Sequence, residues 1–72
     1  MSSFGPIVRH LRTERGWSQE KLAERADLNR SYLGEIERGD ALPSLLTAQK
    51  LAHALDTRLS ELIARCEPLS AA

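Results

Sequence analysis

A single cysteine, Cys66, is all that the chain offers for thiol chemistry. One thiol cannot close an internal disulfide, which fits a protein of the reducing cytoplasm. No apolar run approaches the ~20 residues needed to cross a bilayer, so no membrane span is expected. The opening Met-Ser-Ser-Phe-Gly-Pro has no basic stretch followed by an apolar one, so no secretory signal is expected either. The two histidines, His10 and His53, are scattered, and with one cysteine they do not match the spacing of a zinc site. Cys66 could act as a nucleophile only beside an oriented base, and neither histidine sits in a recognisable motif. A glycine-rich phosphate loop is also missing. We therefore expect no enzyme, no metal, no cofactor and no small-molecule ligand. Finally, ten basic and ten acidic residues cancel, so the chain has no net charge.

What is there is helical periodicity. The 72 residues make one domain, 1–72, with a core of about 4–66 and a short tail, 67–72; 42% hydrophobic content suffices for a globule. Phe4, Ile7, Val8 and Leu11 fall at i, i+3, i+4 and i+7, the stripe of a first helix over about 4–15 closed by Gly16. Pro6 is tolerated in its first turn. Trp17 is expected to pack where this helix meets the next. Ser44 caps a fourth helix to about Leu55, with Leu45, Ala48, Leu51, Ala52 and Leu55 inward. A fifth runs from Leu59 to Cys66, and Pro68 cannot continue it. The pattern predicts an all-α fold of five short helices without strands.

Between these lies Ser18 to Gly39. Ser18 and Asn29 are good N-caps, and Leu22, Ala23 and Ala26, then Leu33 and Ile36, recur at helical spacing. Gly39 is a C-terminal stop. The result is two short helices, 18–25 and 29–37, around the turn Ala26-Asp27-Leu28. Neither can be stable alone, because helix nucleation is costly. This is a helix-turn-helix pattern. Trp17-Ser18-Gln19-Glu20, Leu22-Ala23, Arg30-Ser31-Tyr32-Leu33, Ile36-Glu37-Arg38-Gly39, Pro43-Ser44-Leu45 and Leu51-Ala52, in that order and spacing, resemble the Cro and phage-repressor family of DNA-binding domains. The resemblance covers about Phe4 to Ile63 and implies a lambda-repressor-like five-helix fold. The run Asn29 to Gly39 looks most like restriction–modification controller proteins. That family usually has glycine where Asp27 stands, because the backbone there takes positive φ, which Asp tolerates better than most residues.

The resemblance implies that the second helix of the motif lies in the major groove of double-stranded DNA and reads bases from Arg30, Ser31, Gly34 and Glu35. Arg30 is the strongest candidate. Its fork can pair with guanine O6 and N7, and a cation in a first helical turn opposes the macrodipole, so its placement needs another cause. Ser31 can bond a base or a phosphate, or simply be a polar first-turn residue. Glu35 can accept from cytosine N4, or pair with Arg38 at i+3. Gly34 either permits close approach to the groove or relieves crowding. Gln19, Asn29, Tyr32 and Arg38 are the implied phosphate contacts, which set register rather than sequence. Arg12 resembles a family arginine that pairs with the glutamate at Glu37, bracing the third helix against the first.

Charge does not assist this reading. From Arg9 to Arg38 seven basic residues face six acidic ones, leaving +1. Such a balance offers little general attraction to DNA, so affinity must come from placed contacts and from two subunits acting together. Leu59, Leu62, Ile63 and Leu69 are the expected homodimer surface. The alternative is an antitoxin-like protein-interaction module whose main partner is a protein. On the DNA reading, Arg30→Ala should relax preference at one base pair per half-site, by about 1–3 kcal/mol of discrimination, with the fold intact. Binding to a panel of single-base variants checks this, and unchanged preference would remove Arg30 as base reader.

Overall fold

Three side-chain caps set where helices begin. Ser18 Oγ accepts from the amide of Lys21 at 3.0 Å, Asn29 Oδ1 from Ser31 at 2.7 Å and Tyr32 at 3.3 Å, and Ser44 Oγ from Thr47 at 3.1 Å. Each satisfies amides that have no partner in the first helical turn. The computed structural model describes residues 4–66 and contains α1 (Phe4–Glu14), α2 (Gln19–Ala26), α3 (Arg30–Arg38), α4 (Leu45–Ala54) and α5 (Leu59–Cys66). Leu69 and the expected tail, 67–72, lie outside the described residues. The helices of the central motif begin and end one residue later than expected, because the capping residues stand outside them. Its turn is therefore Asp27-Leu28-Asn29.

Left-handed residues follow four helices: Gly16 (φ 71°) after α1, Asp27 after α2, Gly39 after α3 and Asp56 (φ 57°) after α4. Asp27 has φ 58° and ψ 50°, the positive-φ conformation implied for this position, and its amide reaches back to the carbonyls of Ala23 and Glu24. Gly39 ends α3 at φ 83°, with its amide on Glu35 and Ile36 carbonyls.

The core unites Val8 and Leu11 of α1, Leu22, Ala23 and Ala26 of α2, Leu33 and Ile36 of α3, Leu51, Ala52 and the following Leu55 of α4, and Leu62 of α5. Helix α1 packs on α3 and α5, α2 on α3 and α4, and α4 on α5. Two expectations need correction. Leu62, assigned above to a dimer surface, is fully buried at 0% exposure and closes this core. Leu45, expected inward, is 70% exposed. It opens α4, beyond the reach of the core, and lines a shallow apolar groove with Phe4, Leu42, Ala48, Ile63 and Cys66.

Other contacts tie the periphery to the core. Arg15 donates to the carbonyls of Leu55, at the end of α4, and of Leu11. The half-buried Trp17 ring lies against the core in the α1–α2 junction, with the guanidinium carbons of Arg25 and Arg15 4.9 and 5.8 Å from its centroid. The first turn of α1 runs so close to the end of α3 that Gly5 has no room for a side chain. A Cβ there would lie 2.8 Å from the Glu37 carbonyl oxygen and nearer still to that of Ile36, both backbone atoms. In an ordinary helix interior Gly→Ala stabilises by roughly 1 kcal/mol. Gly5→Ala should do the reverse, destabilising by about 1–3 kcal/mol or more through overpacking, read as a lower urea midpoint. An unchanged or raised midpoint would refute this packing.

Candidate nucleic-acid interface

Glu37 lies in the last turn of α3, with its side chain only 1% exposed. A buried carboxylate is costly unless its oxygens are satisfied. Here the Arg12 guanidinium of α1 grips it with two bonds, Nε to Oε2 at 2.8 Å and Nη2 to Oε1 at 3.0 Å. Gln19, the first residue of α2, donates from Nε2 to the same Oε1 at 3.0 Å. The third nitrogen of Arg12, Nη1, donates to the carbonyl of Trp17 at 2.8 Å. One cluster thus joins α1, the α1–α2 junction, the start of α2 and the end of α3. The bidentate fork fixes angle as well as distance, so α3 is held in one attitude relative to α1 and α2.

The outer side of α3 is what this cluster holds out. Arg30, Ser31, Glu35 and Arg38 are exposed, and with Gly34 and Gln19 they line one open depression. Among the described residues Arg30 enters no ion pair, whereas Arg38 Nε sits 3.1 Å from Asp40 Oδ2, both side chains being well exposed. Such a surface pair is worth about 0–1 kcal/mol, so a stronger anion can replace Asp40. Glu35 is not the partner of Arg38, as one reading of the spacing had it. Gly34 does not face open solvent. It is buried, and a Cβ built there would meet Arg38 Nη1 at 3.3 Å and Gln19 Oε1 at 3.6 Å.

The expected phosphate contacts differ among themselves. Asn29 is exposed, with its oxygen committed to the α3 cap, which leaves its amide nitrogen as donor. Tyr32 is half-buried and packs its ring on the core. Gln19 is half-buried and tethered to Glu37. Of the remaining expected residues, Leu59 is partly buried against the core and Ile63 is 45% exposed. The structure also exposes two leucines that periodicity did not select, Leu42 at 81%, which shares a groove with Ile63, and Leu46 at 62%. A leucine in a polar loop, Asp40 to Pro43, was the available signal. Among the described residues, no group of three or more His, Cys, Asp or Glu side chains comes together as a metal site would require, and no helix is long and apolar enough to cross a membrane.

Two short helices meeting at a left-handed Asp27, the second locked from behind and open in front, define a helix-turn-helix domain. The chain belongs to the helix-turn-helix family HTH_3, whose model matches residues 8–62. It is 51% identical to the restriction-modification controller protein C.AhdI from Aeromonas hydrophila, whose crystal structure matches with a TM-score of 0.79, covering 82% of this chain and 89% of that one. SinR of Bacillus subtilis, solved in complex with DNA, is 34% identical with a TM-score of 0.78, covering 83% of this chain and 97% of that one. The immunity repressor protein of Bacillus phage phi105 is 42% identical over 61 residues, 85% of this chain. The chain spans less than half of that repressor, 42% of its length.

The Glu37 cluster makes a definite statement about stability. Arg12→Met removes the fork and strands a buried carboxylate, which should cost about 3–5 kcal/mol in chemical denaturation. Arg12→Met combined with Glu37→Met should recover much of that loss, because the stranded charge goes with its partner. A double variant no more stable than the single would contradict this account.

Proposed function

We propose that this chain is a sequence-specific, DNA-binding transcriptional regulator of the cytoplasm that acts as a homodimer without an enzymatic step, in the manner of restriction–modification controller proteins. The observation that carries the reading is the exposed front of α3, where Arg30, Ser31, Glu35 and Arg38 stand together on a helix fixed from behind by Glu37. At nine residues α3 is about 14 Å long, enough to lie in the major groove with its N-terminal residues toward base edges. On this reading Arg30 and Ser31 read bases at the start of the helix, Glu35 accepts from a base amine, and Asn29 and Arg38 hold the flanking backbone. The likeness to C.AhdI at 51% identity, and to SinR, whose structure contains DNA, supports it.

One helix of this length reads only a few base pairs. Two-fold pairing sets two of them roughly 34 Å apart, one turn of DNA. The surface suited to that pairing is apolar and exposed: Leu42, Leu45 and Ile63, which line one groove. It replaces the expected surface built on Leu62, while Ile63 is common to both. The same apolar surface, together with zero net charge, favours the second reading, a module that docks another protein.

The deciding experiment is selection of bound sequences from a random duplex library at two salt concentrations, with sedimentation of the wild type and of the double variant Leu45→Glu with Ile63→Glu. Recovery of a two-fold symmetric site with salt-sensitive binding is expected, together with a wild-type dimer. The variant, still folded, should sediment as a monomer and lose about a hundredfold in apparent affinity, as linked binding is forfeited. A wild type that enriches no sequence would move the reading to protein partners. A monomer on and off DNA would end the dimer proposal.

A further inference from the structure

Gly34 is an anomaly on the face of α3. A glycine within a helix lowers its stability relative to alanine, and the space above this one is already filled by two polar side chains from different helices. Gln19 reaches it from α2 and Arg38 from the end of α3. The amide of Gln19 has no freedom to turn over. Glu37 Oε1 can only accept, so Gln19 must present Nε2 to it, and Oε1 then points toward Gly34. Arg38 Nη1 comes to the same spot from the other side, 3.3 Å from where a Cβ would stand, against 3.6 Å for Gln19 Oε1. An acceptor fixed through its amide by a buried carboxylate and an exposed cation therefore both approach the place of one missing side chain. Among the described residues the cation is otherwise held only by the exposed Asp40.

We propose that Gly34 is a positioning residue. It keeps open a seat in which the Gln19 carbonyl oxygen steers the Arg38 guanidinium, so that Arg38 can leave Asp40 and take a DNA phosphate. This rests on the DNA-binding reading above and deepens it. Arg38 makes the contact, Gln19 aims it, and the buried Arg12–Glu37 pair sets the aim of Gln19. A methyl group at position 34 displaces Arg38, the flexible member, without touching the core.

The test is Gly34→Ala, Arg38→Ala and the double variant, each followed by thermal denaturation and by titration of the selected duplex over a series of salt concentrations. Gly34→Ala should raise Tm by a few degrees, because the helix gains a better former. It should nevertheless bind the duplex about tenfold more weakly, with the salt slope reduced by roughly 0.9 for each subunit's lost contact. The double variant should bind no more weakly than Arg38→Ala alone, since both changes remove the same contact. Wild-type affinity and slope in Gly34→Ala would overturn the proposal. Additive losses in the double variant would overturn it too, because Gly34 would then be making room for the DNA itself. If the wild type retains no duplex, the DNA-binding reading fails and takes this proposal with it. If the wild type binds and Gly34→Ala matches it, the proposal alone fails.

Discussion

The ion pair between Arg12 and Glu37 is the constraint on which the remaining geometry depends. Glu37 is nearly inaccessible to water, and its two oxygens receive three donors from two other helices. Desolvating both charges is expensive, and apolar residues of similar shape could serve stability as well. What the pair adds is direction. Apolar packing of Leu33 and Ile36 on Val8 and Leu22 tolerates a small rotation of α3, whereas a bidentate fork does not. The close passage of α1 over the end of α3 at Gly5 acts in the same sense from the backbone side. Polar and steric registration meet within one turn of α3, so its outer side chains inherit a fixed frame.

On the DNA-binding reading proposed above, that frame accounts for how a chain with no net charge would serve a polyanionic partner. Of the ten basic residues, several are committed individually. Arg12 is spent internally, Arg15 caps the carbonyl of Leu55, and Arg25 lies on the Trp17 ring. Arg30 and Arg38 remain on the front of α3, one without an ion pair among the described residues and one weakly held. A surface arranged in this way offers little general attraction and relies on a few directed contacts.

The architecture was legible in the sequence wherever a local rule acts. Ser18, Asn29 and Ser44 announce helix starts through their own side chains, and Gly39 and Asp27 mark ends through their backbone preferences. Periodicity gave the buried apolar side chains of α1 to α3, though not the burial of Gly5, Gly34 or Glu37. It failed at Leu45 and Leu62, where burial is decided by what lies opposite rather than by spacing. Leu45 has the right phase but begins α4 past the edge of the core, while Leu62 has a phase shared by core and surface models. Gly5 gave no signal at all, since its reason is the backbone of a helix thirty residues away. The pairing of Gln19 with Glu37 was hidden for a similar cause: spacing places each on a helix, but only the crossing of those helices brings amide and carboxylate together.

Trp17 is the sole tryptophan of the chain, and its ring sits between Arg15 and Arg25 at the α1–α2 junction. Its backbone carbonyl takes the last donor of the Arg12 fork. The molecule therefore carries one tryptophan reporter, placed beside its internal brace and not itself among the residues lining the α3 depression. Its emission monitors whether α1 and α2 are locked together. Folding of this junction can thus be followed without attaching a dye.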